Sequence, residues 1–367
     1  MNQRITFGNS YLESISGIDH LNLREKNHYE TGFAAGNLFI ESNNKMIRLF
    51  KNPFAKIVLW CLYLKHKNKI HDIRVPKEYQ DELKGYAEAT KIPYKYLLLL
   101  NLIYEVKGCS GFAFFNPDKS LLVGHNTDAF KLLGKFLLNK TNPLVVSISV
   151  PGKNFFTHIS LPGFIGVANG FNNRGIAISA HDAGNIYHKT VVGNTSTSCV
   201  LRMLLEKSDS LENISKIAHN NPPYLPGIVL VASERERGFG ILEVYPTKIN
   251  FVRKPENNYA FSANHYHSSE MKEHHKSIES GSIKRYDYLE GYFLNREGLT
   301  IGEAIDILKN TDHGIKWDKT GGQRSVANEG TFQSFVFDVT KDEVYISNGK
   351  KLPVSLHGNF VKIPIKL

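Results

Sequence analysis

The texture of the chain changes at Gly108, and the change limits what the whole can fold into. Ahead of it, "VPKEYQDELKGYAEATKIP" sets Tyr79, Leu83, Tyr86 and Ala87 at helical spacing behind Pro76. Pro93 then opens "YKYLLLLNLIYEV", whose apolar density predicts a buried helix. The first hundred residues accordingly read as helical. Behind Gly108 the chain breaks into short apolar runs separated by turns. "SGFAFFNPDKSLLVGHN" holds two such runs about Asn116 to Lys119, where Pro fixes φ and Asn and Asp cap the bend.

Further strands are expected in "LVVSISVPGKNFFTHISLPG", turning at Pro151-Gly152, and in "GVANGFNNRGIAISAHD", turning at Asn172 to Gly175. A helix pair follows in "STSCVLRMLLEKS" and "SLENISKIAHN", each with Ser where an N-cap belongs. Strands return in "GIVLVASERERGFGILEVYPTKINFV" and "NYAFSANHY". A second helix pair follows, "SIKRYDYLEGYFLN" and "LTIGEAIDILKN", the latter opening on the capping box Thr300-x-x-Glu303. "TFQSFVFDVTKDEVYISNG" closes the pattern as a hairpin. Strand runs alternating with helix pairs predict antiparallel sheets covered by helical layers, an α+β architecture, since lone helices between strands would argue βαβ units.

Composition narrows the function classes. With 367 residues, 41% hydrophobic and 22% charged, the chain is a folded protein with a large core. Its formal charge of +10 is spread along the chain, with no Lys/Arg stripe interleaved with aromatics, which argues against a nucleic-acid partner. A membrane-surface reading would rest on charge alone, and an anionic or amphiphilic small substrate fits the charge as well. Cys61, Cys109 and Cys199 show no CxxC spacing, so neither disulfides nor a zinc cage are expected and a reducing compartment is the simpler reading. The first twenty residues lack an apolar signal region, which predicts a cytoplasmic protein. "IVLWCLYL", Ile57 to Leu64, is too short to span a bilayer and reads as a buried helix segment. The histidines of "HYHSSEMKEHH" match no ligand spacing and read as a solvated loop or helix end; no metal or organic cofactor is implied.

Cys109 is the chemistry-bearing candidate. A thiol needs a base or a lowered pKa to act as nucleophile, and no histidine is paired with Cys109 in sequence. The preceding Gly108 and following Ser110 leave the Gly108-Cys109 bond open to attack by its own thiol. "VGHNTDAF" places His125, Asn126 and Asp128 at the end of the next run, and a tight hairpin would return Asp128 beside Cys109.

These residues carry a resemblance. "GCSGFA" followed by "LLVGHNTDAF" resembles the start of the mature chain in N-terminal-nucleophile (Ntn) hydrolases of the acyl-coenzyme A:6-aminopenicillanate acyltransferase type, relatives of choloylglycine hydrolases and acid ceramidase. "HYETGFAAGNLF" and "ELKGYAEATKIPYKYLLLLNLIYEVKGCS" resemble that family's propeptide, and "NGFNNRGIAIS", "SANHY" and "TFQSFVFDVTKDEVYISNG" follow in order. The resemblance implies a four-layer αββα sandwich of two antiparallel sheets. It also implies a helical pro-segment or light chain, 1–108, packed as one unit with a catalytic heavy chain, 109–367.

It further implies self-cleavage between Gly108 and Cys109, after which the new α-amine of Cys109 serves as base to its own thiol. Asp128 would orient that amine, Asn264 would help hold the oxyanion, and either Arg285 or Arg324 would stand near the aspartate. His125, Asn126, His181 and Asp182 are candidates for substrate or oxyanion contacts. Bile-salt-type members carry Arg in the slot of His125, and many relatives carry Asn where His181 or Asp182 stands, which argues against a bile-salt substrate. The expected activity is hydrolysis or transfer at a linear, non-peptide N-acyl amide through a Cys109 thioester. A phospholipase B-like lipid hydrolase, suggested by "HNT", and a non-catalytic binding protein are the alternatives. A homo-oligomer is compatible with either.

Overall fold

A computed structural model describes residues 4–102, 108–187, 189–254, 257–317 and 324–365. The chain opens on three strands, β1 (Arg4–Phe7), β2 (Ser10–Ile15) and β3 (Ile18–Arg24). Five helices follow: α1 (His28–Glu41), α2 (Lys45–Lys51), α3 (Pro53–Asp72), α4 (Lys77–Thr90) and α5 (Tyr94–Leu102). The hairpin β4 (Cys109–Phe115) and β5 (Leu121–Asp128) leads through α6 (Lys131–Lys140) to a meander. Its strands are β6 (Leu144–Ser149), β7 (Phe156–Ser160), β8 (Asn169–Asn172) and β9 (Ile176–His181). Next come α7 (Thr197–Lys207), α8 (Leu211–Asn220), β10 (Gly227–Ser233), β11 (Gly238–Tyr245), β12 (Lys248–Lys254) and β13 (Tyr259–Ser262). The chain ends through α9 (Ser269–Lys272), α10 (Ser280–Phe293), α11 (Ile301–Leu308), β14 (Thr331–Asp338), β15 (Glu343–Ser347), α12 (Val354–His357) and β16 (Phe360–Pro364). The Thr300–Glu303 capping box is formed.

The strands make two sheets, ordered β1-β2-β3-β6-β7-β8-β9-β10-β11-β12 and β13-β4-β5-β14-β15-β16. Alternation along each strand builds the layers. On β4, Ala113 and Phe115 point between the sheets, where Val123, Phe335 and Phe337 meet Val145, Ile228, Leu230 and Ile241 of the large sheet. Phe112 and Phe114 point outward onto Leu289, Phe293 and Ile307 of α10 and α11. The far face of the large sheet, with Val146, Ile178, Val229 and Leu242, is covered by Leu38, Tyr86, Leu97, Leu204 and Ile214 of the other helices. The fold is therefore a four-layer αββα sandwich, and central strands read as unbroken apolar runs because both faces are covered.

Three expectations need correction. The first hundred residues are not wholly helical: "RITFGNSYLESISGIDHLNLR" forms β1–β3, turning at Gly8 and at Ser16-Gly17, all at positive φ. These strands escape a hydrophobicity reading because β1 and β2 lie at a sheet edge with much of their surface wet, so they carry polar residues. The large sheet is also not purely antiparallel, since β3 pairs with β6 in parallel, Leu21 opposite Val146. A parallel pair needs a long crossover, and everything from α1 to α6 supplies it. Finally, "IVLWCLYL" is helical, inside α3, but mostly exposed, with Leu59 its only buried residue.

The segment before Gly108 is built into the rest. Gly32 on α1 and Gly85 on α4 let the two backbones touch: a Cβ on Gly32 would sit 1.9 Å from the Glu82 carbonyl oxygen, one on Gly85 2.1 Å from that of Tyr29. That approach aligns His28 and Glu82 over α7. There the fully buried Arg202 guanidinium donates to both Glu82 carboxylate oxygens at 2.8 and 2.7 Å and to Glu206 at 2.8 Å. Tyr79 donates to the other Glu206 oxygen at 2.8 Å, and His28 Nδ1 lies 2.8 Å from Glu82. Removing one member of a buried ion network strands the others without water. Arg202→Met is expected to lower unfolding stability by about 3–5 kcal/mol. Lys207→Ala, which loses only a surface bridge to Glu78, is expected to cost under about 1 kcal/mol. Denaturant unfolding of both variants checks this, and equal effects would contradict it.

Candidate active site

Four adjacent strands of the small sheet bring their ends to one edge. In the order β13-β4-β5-β14, Asn264 follows the end of β13, Cys109 begins β4, Asp128 ends β5 and Thr331 begins β14. Register sets Cys109 opposite Thr127 and Asp128 opposite Thr331, beside an irregularity between Thr331 and Gln333. The hairpin thus returns Asp128 to Cys109, as its length requires.

The Gly108-Cys109 peptide is held at both ends. Gly108 adopts φ 91°, the left-handed region that favours glycine. Its carbonyl oxygen accepts the Asp128 backbone N–H at 3.0 Å. The Cys109 N–H donates to Asn264 Oδ1 at 2.9 Å. Arg285, on α10 and fully buried, donates to the Cys109 carbonyl oxygen, to Ser110 Oγ at 2.9 Å and to Asn264 Oδ1 at 2.8 Å. Asn264 is fixed in turn: its N–H donates to Ser282 Oγ at 2.8 Å and its Nδ2 to the Asp182 carbonyl oxygen at 2.7 Å.

Asp128 is wholly buried and bonded through both oxygens, to Thr331 Oγ1 at 2.6 Å and to Asn328 Nδ2 at 2.7 Å. Burial raises its pKa to about 7, against the Arg285 charge and the two hydrogen bonds, which lower it. Burial likewise pushes the Cys109 thiol well up, and the Asp128 carboxylate adds to the rise. Near neutral pH the site therefore pairs a protonated thiol with a carboxyl group poised to exchange a proton.

A cavity of about 910 Å³ opens at Cys109. Thr127, His181 and Asp182 line it near the thiol, and Val167, Val200, Leu201, Val229, Leu242 and Val244 make its apolar wall between the large sheet and α7.

The structure sorts the sequence candidates. Cys109, Asp128, Asn264 and Arg285 converge. Arg324 is half-buried, and the guanidinium whose charge acts on both Asp128 and Cys109 is that of Arg285. His181 and Asp182 line the cavity. Asn126 leaves the substrate and oxyanion set: its Nδ2 donates outward to the carbonyl oxygens of Leu308 and Val326 at 2.8 and 2.9 Å. His125 points between the sheets, 2.7 Å from Ser179 Oγ and stacked on Phe335, and burial lowers its pKa to about 3. Asn328, Thr331 and Ser282 were not legible, because hydroxyls and amides in "SVANEGTF" and "SGSIKR" read as ordinary turn and cap residues. The "HYHSSEMKEHH" stretch is only in part the solvated loop or helix end expected: Glu270, Lys272 and Glu273 about α9 are exposed, but His265 and His275 are buried, and His275 Nε2 accepts the Tyr266 N–H at 2.9 Å. Among the described residues, the three-ligand group that could hold a metal is His28, Glu78 and Glu206, away from Cys109. Both Glu206 oxygens there already serve Arg202 and Tyr79.

The four layers are those that the sequence resemblance implies. A sequence model of the acyl-coenzyme A:6-aminopenicillanic acid acyl-transferase family matches residues 115–352, and the chain belongs to that family. It is 24% identical over 284 residues to an uncharacterized protein of Archaeoglobus fulgidus, covering 65% of this chain and 46% of that one. It is 26% identical over 161 residues to acid ceramidase of Bos taurus, covering 39% and 41%. The chain thus spans less than half the length of these curated relatives. Among solved structures, the Caenorhabditis elegans ortholog of N-acylethanolamine-hydrolyzing acid amidase superposes with a TM-score of 0.45 at 13% identity, covering 70% of this chain and 100% of that one.

The raised Asp128 pKa has a stability signature. An acid whose folded pKa exceeds its unfolded value binds more protons in the native state, so its contribution declines as pH rises from the ordinary 3.8 through about 7. The stability difference between the wild type and Asp128→Asn should therefore fall across that interval and level off above it. Denaturant titrations at several pH values check this, and a difference that grows with pH would contradict it.

Proposed function

We propose that the chain is a self-processing cysteine amidohydrolase or acyltransferase acting on linear, non-peptide N-acyl amides. The observation that carries the reading is the Gly108-Cys109 peptide, its carbonyl on a backbone N–H and its nitrogen on Asn264, at the head of a largely apolar cavity.

In the processing step the Cys109 thiol attacks the Gly108 carbonyl carbon and its proton passes to the Asp128 carboxylate. The Asp128 N–H already faces the oxygen on which negative charge develops, and such preorganised donors act at the transition state without rearranging. The C–N bond then breaks, the proton moves to the Cys109 nitrogen, and a thioester forms. Water hydrolyses it, leaving a Gly108 carboxylate, a free thiol and a free α-amine. That amine, with an ordinary pKa of about 7.7–8, sits on Asn264 Oδ1 and takes over as base for the thiol.

In turnover the thiol attacks the substrate amide, the α-ammonium protonates the leaving amine, and the acyl group remains on sulfur until water or a second amine takes it. The Asn264 Nδ2, now on the Asp182 carbonyl, is the neutral donor available to the substrate oxyanion. The acyl chain would lie along Val167, Leu201 and Val244, which favours apolar acyl groups over charged ones.

Turnover of a panel of N-acyl amides by the purified protein tests the reading. Cys109→Ala is expected to lower it at least about a thousandfold. A limiting amount of thiol alkylator should block the wild type at Cys109 ahead of the exposed Cys61. Full activity of Cys109→Ala would sink the proposal.

A further inference from the structure

Helix α3 is short of partners. One stripe, Ala55, Leu59, Tyr63, His66 and Ile70, turns toward the protein and packs against α5. The rest of the helix projects outward and carries Phe54, Ile57, Val58, Trp60, Leu62 and Leu64, with Phe54 74% exposed. Leu132, Leu133 and Phe136 stand out from α6 in the same way, Leu132 at 82%. Nearly half of the exposed large apolar side chains described thus lie on two helices that make up under a tenth of the chain. Helix α2 joins them: Met46 shares a small core with Leu137 of α6, and Asn52 ends α2 and caps α3. Exposed apolar side chains concentrated in this way mark a binding face.

Charge identifies what binds. From Ser42 to His71 the sequence has no acidic residue, while four cations fall between Lys45 and Lys56 and three more between Lys65 and Lys69. Helix α6 adds Lys131, Lys135 and Lys140, again with no acid, and of all these only Lys131 has an ion pair among the described residues, with Glu329. A second copy docking here would set cations against cations. An anionic lipid surface offers both an apolar layer for the aromatic and leucine side chains and phosphates for the lysines. No described helix is long and apolar enough to cross a membrane, so α3 would lie in the interface.

The position of the patch gives it a use. Where the chain leaves α3, the Asp72 carbonyl accepts the Gly193 N–H at 2.8 Å, and Arg74 is hydrogen-bonded to Asn194 and Ser196 at 2.9 Å. Ser196 to Ser198 line the cavity, as does the exposed Leu225, and the exposed Val192 adjoins them. We propose that α3 and α6 form a docking surface for anionic lipid bilayers, seating the protein with the rim of its cavity next to the interface. This surface is independent of the chemistry at Cys109.

The test is flotation of the full chain with vesicles of phosphatidylcholine alone or mixed with phosphatidylserine. Binding to the mixed vesicles should be at least about tenfold tighter and should weaken with salt. Brominated phosphatidylcholine in the mixed vesicles should quench Trp60 fluorescence, and the quenching should vanish in Trp60→Phe. The double variant Trp60→Ser/Leu132→Ser, and separately the charge reversal of Lys65, Lys67 and Lys69 to Glu, should each lower binding about tenfold or more at unchanged melting temperature. Absence of binding, binding without Trp60 quenching, or a dimer that these substitutions dissolve would overturn the proposal.

Discussion

A guanidinium without access to water organises the site. Arg285 carries its charge into the small sheet's edge, and such a burial is tolerated only where acceptors surround it. The Cys109 carbonyl, Ser110 Oγ and Asn264 Oδ1 supply them, and the Asp128 carboxyl supplies the opposing charge. Those groups sit at the ends of three different elements. One side chain from α10 thus fixes the mutual positions of β4, β5 and the turn after β13. Asp128, kept from a still higher pKa by Arg285, Thr331 and Asn328, is held near the protonation balance that proton transfer at neutral pH requires.

The same geometry explains why the Gly108-Cys109 bond stands apart from the rest of the backbone. Cys109 is the first residue of a strand paired on both sides, to β5 and to β13, so a break before it would leave the sheet's ladder intact. On the other side of the bond, β1–β3 extend the large sheet, α1 and α4 touch through Gly32 and Gly85, and Glu82 is locked to Arg202. The segment before Gly108 is consequently a structural part of the sandwich rather than a cover laid over it. Cleavage there would separate two covalent pieces of one packed unit.

Much of this was legible in the sequence, for physical reasons. Strands covered on both faces announce themselves as apolar runs between turn residues, and the helix pairs by their caps, so the layered α+β architecture could be read directly. That Cys109, Asp128 and Asn264 would come together was legible through motif order, whereas the choice between Arg285 and Arg324 was not. The strands β1–β3 were not, because β1 and β2, at the sheet edge, carry the polar residues that also mark loops, and in β3 the buried His20 and Asn22 interrupt the apolar run. Nor were Thr331 and Asn328, since what distinguishes them is contact with Asp128 across some two hundred positions of sequence. The converse holds at "IVLWCLYL", where hydrophobicity does not mean burial. There the apolar side chains face outward, and the missing cover is itself the information.

In the proposed chemistry the Gly108-Cys109 bond breaks by its own thiol and both pieces remain together. N-terminal amine labelling of the purified, natively sized protein, followed by peptide mass spectrometry, addresses it most directly. Self-cleavage should yield a labelled peptide beginning at Cys109 and a matching peptide ending at Gly108, recovered from a single native particle and both absent from Cys109→Ala. Recovery of only the unbroken peptide across Gly108 and Cys109 after prolonged incubation at neutral pH would contradict it.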